Sequence, residues 1–239
     1  ALKNQKAEAK KKKKNKKKKE PKAVINVATI SSMPRYAEAA RYWMQWAGVP
    51  DTIYADTGGD NDYGDDTRGR AYWVNYLCGG SSVLPDEKGL NIPIDLAFAF
   101  HSDAGNVPGD SIIGSMGIYY TGKTRRAKAK RFANGVSRLQ SEKLNDCIYS
   151  TIQKDINQAL HNDWTMRKCL DRRYAEARLH DVPCMLLESM SHQNFTDMRW
   201  GLDPRFKFAM SRAIYKGMLK YLSNRNKTPY IVQPLPVDN

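Results

Sequence analysis

The chain lacks any apolar stretch long enough to cross a bilayer as a helix, and its lysine-rich beginning is not followed by the apolar core of a signal peptide. It therefore reads as soluble, and as a mature piece or a fragment of a longer polypeptide. Cysteine is sparse. Cys78, Cys147, Cys169 and Cys184 show no C-x-x-C spacing, and three of them sit inside apolar runs. Buried thiols fit that pattern better than a zinc knuckle or a disulfide framework. Also missing are a Ser or Cys in a G-x-S-x-G turn and a glycine-rich loop after a strand. Neither nucleophilic catalysis nor phosphate cradling has a carrier in this sequence.

What is present is a chain of 239 residues, 41% apolar and 10% aromatic. That is enough for a substantial core in one α/β domain with extra segments. The net charge of +14 suggests nucleic acid until its placement is considered. Residues 1–22 hold 12 Lys against Glu8 and Glu20, so ten of the fourteen charges lie in this tail. The tail has no apolar periodicity and is expected to be solvated and disordered. Its alternative role is an electrostatic anchor on phosphates or anionic envelope polymers, without specific nucleic-acid recognition.

Beyond the tail, residues 23–30 alternate like a short strand. Ser32 and Pro34 offer an N-cap and an N1 proline for a helix carrying Tyr36, Ala39, Ala40, Trp43, Met44 and Ala47. Residues 55–66 form a Gly/Asp loop whose D-x-D-x-G fragment lacks a closing glutamate, since Ala71 stands there. A solvated turn is the reading, with a weak cation site as the alternative. A second helix is expected over 66–77. A strand then ends at His101, another spans 112–120, and 122–135 is a basic loop. Ser137 and Gln140 suggest a capping box for a helix over 138–160, where Leu144, Ile148, Ile152 and Ile156 recur every fourth residue. An apolar run over 182–187 breaks at Glu188, and Asp203-Pro204 opens a last amphipathic helix.

This alternation predicts an α/β fold, a mostly parallel sheet with helices on both faces. In such sheets the ligand site lies beyond the carboxyl ends of strands, and both His101 and Glu188 read as strand ends. Glu188 follows buried residues and has no basic residue within three positions, so local sequence offers it no ion-pair partner. A neutral imidazole can bind zinc, and a desolvated glutamate can act as general base, so the pair fits metal-assisted hydrolysis. His192 reads as an exposed loop histidine, with a cleft position as the alternative. His161 and His180 read as surface residues.

Residues 94–222 resemble the C-terminal half of the zinc-dependent N-acetylmuramoyl-L-alanine amidases, which cleave the bond between muramic acid and the peptide stem of peptidoglycan. His101-Ser-Asp-Ala is similar to the family's H-A-[ND]-A, and Ser137-Arg-Leu to its S-x-x-L-A opening, with Gln140 in place of the alanine. Residues 183–194 resemble P-x-x-L-x-E-x-G-F-x-S-N. The resemblance implies that His101 binds zinc, that Glu188 is the catalytic glutamate, and that Ser102, Asp103 and Asn194 shape the surrounding loop. For those three, ordinary turn hydrogen bonding is the competing reading.

The sequence departs from the family after Glu188, where Met190 and Ser191 replace Gly-Phe. The family's other two ligands, from a G-H-G-G-like turn and a downstream glutamate, are not found. The wording over 33–237 resembles that of large secreted Bacteroidetes proteins in which a golvesin-type module interrupts the amidase domain, some labelled xanthan lyase. In that arrangement the first ligands lie upstream of residue 1, residues 23–239 hold the second half of the site, and the isolated chain is inactive. Location outside the cytoplasm follows from the resemblance alone. Two alternatives stand beside the hydrolase: a silent module that binds envelope glycan, and a polysaccharide lyase. The lyase has no visible constellation of a base beside a carboxylate-neutralising group.

Overall fold

Helix α4 (Leu139–Leu160) shows how the core is built. Leu144, Ile148, Ile152 and Ile156 are fully buried, so the four-residue repeat forms one continuous apolar stripe. Helix α7 (Pro204–Asn226) answers it with Phe206, Met210, Ala213 and Tyr221. Between them Gly217 permits close approach, because a Cβ there would overlap the backbone of Ile148. Asp203 caps α7 by accepting from Arg205 N at 2.8 Å, with Pro204 in the first turn, as the sequence predicts.

The coordinates are a computed structural model that describes residues 32–80, 85–86, 88–104, 111–160 and 164–233. From Arg35 on they belong to one compact unit. The expected strand at 23–30, the lysine tail and His161 lie outside the described residues. Among the described residues no helix is long and apolar enough to cross a membrane.

Four strands, β1 (Ala97–Asp103), β2 (Met116–Tyr119), β3 (Leu170–Asp171) and β4 (Cys184–Ser191), form one sheet in the order β1, β4, β2, β3. The pairs β1/β4 and β2/β3 are parallel, and β2/β4 is antiparallel. The fold is therefore α/β with a mostly parallel, mixed sheet. On one face Met185 and Leu187 pack against α4 and α7. On the other, Ala99 and Leu186 meet Ala177 of α5 (Ala175–Arg178), while Ala97 and Cys184 meet Val74 and Cys78 of α3 (Asp62–Cys78).

Several boundaries differ from expectation for local reasons. The first helix is split into a 3-10 turn, Arg35–Ala37, and α1 (Ala40–Trp46), whose N-cap is Ala39 rather than Ser32. A short α2 (Asp51–Tyr54) follows. Helix α3 starts four residues early because the Asn61 side chain accepts from Gly64 N at 2.9 Å. In the same loop Asp65 is buried and accepts from Thr57 N at 2.7 Å. In this Gly/Asp loop Asp62 pairs with Arg41 at 2.5 Å and Asp56 with Arg68 at 2.6 Å, as a solvated turn braced by arginines. Gln140 does not close a capping box; its Oε1 accepts from Tyr221 at 3.4 Å. Strand β2 begins only at Met116, because Ile113 N and Gly114 N donate to Asp197 instead of a neighbouring strand. All four cysteines are free, but only Cys184 is fully buried.

Candidate functional site

His101 and Glu188 are register partners on the adjacent strands β1 and β4, and Met116 of β2 pairs with Glu188 from the other side. Neighbouring strands lie about 4.8 Å apart and paired residues share a face, so imidazole and carboxyl stand side by side. Neither residue ends its strand, contrary to the sequence reading. Strand β1 continues to Asp103 and β4 to Ser191. The extension is held by Ser189, whose Oγ donates to the His101 carbonyl at 2.8 Å, and by Ser191 N donating to Asp197 at 2.9 Å. A bulge falls between His101 and Asp103, which re-aims the residues beyond it.

Glu176, at the start of α5, joins this pair without any signal in the sequence. Its Oε2 lies 2.9 Å from His101 Nε2. Arg70 of α3 reaches the same oxygen at 3.3 Å and also pairs with Asp66. Asp66, Arg70, Glu176 and His101 thus form one chain of charge-assisted contacts leading to the imidazole. The hydrogen bond to Glu176 raises the His101 pKa, outweighing burial, which acts the other way. Burial pushes Glu176 up, yet the bond and charge of His101, with Arg70, bring it below the usual carboxylate range. Because Nε2–H is directed at Glu176, Nδ1 is the ring nitrogen left to act. No local signal pointed to Glu176, since its contact with His101 spans 75 residues of sequence.

Glu188 is the carboxylate set beside the imidazole on the next strand. Its Oε2 is buried and has no hydrogen-bond partner. Burial raises its pKa, against the attraction of His101. The other expected residues take structural roles. Asn194 is buried, caps α6 (Phe195–Leu202) by accepting from Asp197 N at 2.9 Å, and donates to Ser111 O at 3.0 Å. Ser102 and His192 meet at 3.1 Å in an exposed pair, so His192 is an exposed residue rather than a lining one. Asp103 pairs with Arg167 at 2.7 Å. His180 corrects the surface reading: it is buried, and its Nδ1 lies 2.6 Å from the Glu176 carbonyl.

Below His101, on the same side, a cavity of about 380 Å³ runs along the outer edge of β1. Trp73, Ala97 and Ala99 make it apolar, and Arg70, Glu176 and His180 make one end polar. A larger hollow of about 450 Å³, lined by Lys143, Cys147 and Arg225, belongs to α4 and α7 and is remote from these groups.

A catalytic zinc takes three protein ligands. Among the described residues no three His, Cys, Asp or Glu side chains come together to hold a metal. The one histidine of the cluster has its Nε2 engaged by Glu176, so these residues do not fit a complete zinc centre.

No family profile and no curated protein matches the sequence. Among solved structures the chain is similar to the CwlD amidase of Clostridioides difficile, in complex with the GerS lipoprotein, at 16% identity and a TM-score of 0.46, over 77% of this chain and 81% of that one. It is similar to the N-acetylmuramyl-L-alanine amidase Ami1 of Mycobacterium smegmatis at 15% identity and a TM-score of 0.45, over 77% and 76%. A third similarity is to the N-acetylmuramoyl-L-alanine amidase AmiC2 of Nostoc punctiforme, at 18% identity and a TM-score of 0.42, over 56% of this chain. The chain spans 60% of the length of AmiC2.

Proposed function

We propose that this chain carries the proton-handling half of a hydrolase for the amide bond between muramic acid and the peptide stem of peptidoglycan. The observation behind the reading is Glu188, a carboxyl with a buried, unpartnered oxygen and a raised pKa, set beside His101 on the next strand. A general base partly withdrawn from water, with its pKa raised by burial, suits this task. In the proposed reaction ionised Glu188 takes a proton from the attacking water as the water oxygen bonds to the scissile carbonyl carbon. It returns that proton to the amine nitrogen as the C–N bond breaks, so one water yields one acid and one amine. His101, aligned by Glu176 through Nε2, turns Nδ1 toward the site beside the base.

Zinc belongs to the proposal only if further ligands come from outside the described residues, His101 being the one candidate within them. It would supply a Lewis acid for the carbonyl. The substrate puts the site of action outside the cytoplasm, and the lysine-rich residues 1–22 would add attraction to anionic polymers. The second reading, a silent module that binds envelope glycan, is favoured by the Arg70–Glu176–His101 contacts, which satisfy the imidazole within the chain.

The test compares the 239-residue chain with a longer polypeptide containing its upstream sequence, each given zinc and a muramyl peptide, with release of new amine as the readout. Turnover in the longer form, lost on Glu188→Gln with metal content unchanged, is expected. Turnover that survives Glu188→Gln overturns the role of Glu188. A longer form with neither bound zinc nor turnover establishes the silent module.

A further inference from the structure

Arg167 pairs with Asp103 and lies within electrostatic reach of Glu188. Its backbone is anchored at the start of β2, where Arg167 N donates to Ser115 O at 2.9 Å. The Tyr149 hydroxyl lies against both the Ser115 and Arg167 carbonyls, at 2.7 and 2.5 Å. Trp164 Nε1 holds the Ser115 hydroxyl at 2.9 Å. From this fixed base the side chain crosses from the β2 side to Asp103 on β1. Strand β4, which carries Glu188, lies between those two strands. The guanidinium is close enough to Glu188 to oppose the rise in its pKa.

Only Nη1 is used by Asp103. The other edge of the guanidinium, Nε and Nη2, is shut from solvent and makes no hydrogen bond. That edge is a planar two-donor fork, the arrangement that best receives a single oxygen-bearing group. Leaving charged donors buried and unpaired costs more than leaving neutral ones so. Across the same site Glu188 Oε2 is an acceptor in the same condition. A ligand that satisfies both must offer an acceptor to Arg167 and a donor to Glu188. A secondary amide offers both, through its C=O and its N–H; a carboxylate offers only acceptors.

We propose that Arg167 receives the carbonyl oxygen of the bound amide on its Nε/Nη2 edge while Glu188 faces the amide nitrogen, an assignment that rests on the hydrolase reading for the identity of the amide. Charge developing on that oxygen as water adds would meet a donor pair already in place, with no reorganisation at the moment of reaction. Asp103 is then a positioning residue that fixes the fork through its third nitrogen.

The experiment follows the Arg167 Nε–H resonance of the 239-residue chain by NMR, identified through its proximity to Asp103 and Ser115. N-methylacetamide, muramyl dipeptide and potassium acetate are added in separate titrations. Movement with both amides, larger than with acetate, is expected, together with about tenfold weaker muramyl dipeptide binding in Arg167→Lys. If muramyl dipeptide binds without moving this resonance, the inference is overturned and the hydrolase reading survives. If N-methylacetamide moves it but muramyl dipeptide does not bind, the amide site stands, its assignment to the muramyl amide in this chain fails, and the hydrolase reading is left to the turnover test on the longer polypeptide. Acetate acting more strongly than the amides, or none of the three acting, overturns the inference. These readings come from the unmodified chain, so they hold even if Arg167→Lys does not fold.

Discussion

The two faces of strand β4 have opposite characters. Met185 and Leu187 point into the layer formed by α4 and α7, where the contacts are apolar and the helices are close enough to require Gly217. Leu186 and Glu188 point to the other face, where α3 and α5 bring Arg70, Glu176 and His101 together and a cavity remains open. A period of two residues separates them. The difference teaches a division of labour: one face supplies the burial that stabilises the sheet, and that surplus allows the other to keep one carboxyl oxygen buried without a hydrogen bond.

That division breaks if a change on the reactive face costs stability, or one on the packed face costs chemistry. Glu188→Gln carries the largest expected effect. The amide keeps the shape but cannot take a proton, so turnover in the competent polypeptide should fall about 10²- to 10⁴-fold. Thermal unfolding should shift by no more than about two degrees, because Glu188 Oε2 has no hydrogen bond to lose. Ile152→Ala, on the fully buried stripe of α4, should do the reverse. A loss of about 2–5 kcal/mol in urea titrations is expected, with turnover per folded molecule unchanged. If Ile152→Ala lowers that turnover as far as Glu188→Gln does, the two faces are not independent.

The packed face was the more legible in sequence. Leu144, Ile148, Ile152 and Ile156 announce α4 through local spacing, and Asp203-Pro204 announces α7. On the reactive face only the two strand residues showed, and both were misplaced as strand ends. A carboxylate or imidazole inside an apolar run looks like a stop when its neighbours' partners are unseen. Ser189 and Ser191 continue β4 through contacts with residues elsewhere in the fold. Glu176, Arg70 and Arg167 carry ordinary surface signatures in sequence. Their roles come from tertiary contacts 64 to 106 residues apart. Asp197, which gathers Ile113 N, Gly114 N and Ser191 N on one buried carboxylate, is equally silent in sequence.

His180 sharpens the comparison through pH. It is buried on the reactive face, and burial lowers its pKa to about 4, against the hydrogen bond to the Glu176 carbonyl. Because that partner is an acceptor, the neutral ring must donate from Nδ1. The unfolded chain binds a proton to this histidine below its ordinary value near 6.5, whereas the folded chain does not until about 4. Stability attributable to His180 is therefore full above about pH 6.5 and falls as pH drops toward 4, by about 3 kcal/mol in all. Urea midpoints measured across this window should show that slope in the unmodified protein and lose it in His180→Gln. An unchanged slope in the variant would assign the acid sensitivity to other groups.

Two glycine substitutions give the smallest effects and compare the faces most directly. Alanine is favoured over glycine inside a helix by about 1 kcal/mol, so each change gains that much before its new methyl meets anything. At Gly217 the methyl meets the Ile148 backbone, which cannot yield unless α4 and α7 move apart. The strain of overpacking, about 1–3 kcal/mol, should exceed the propensity gain and leave Gly217→Ala net destabilised. At Gly69, on α3, the nearest atom is Met44 Cε at 2.9 Å, the far end of a flexible side chain, with Ile53 O at 3.4 Å. Met44 can turn aside, so Gly69→Ala should lie within about 1 kcal/mol of the parent. Chemical denaturation of both variants under one condition decides the matter. Equal losses at the two positions would mean that α3 is packed against its neighbours as rigidly as α4 is against α7, and that the reactive face has no slack of its own.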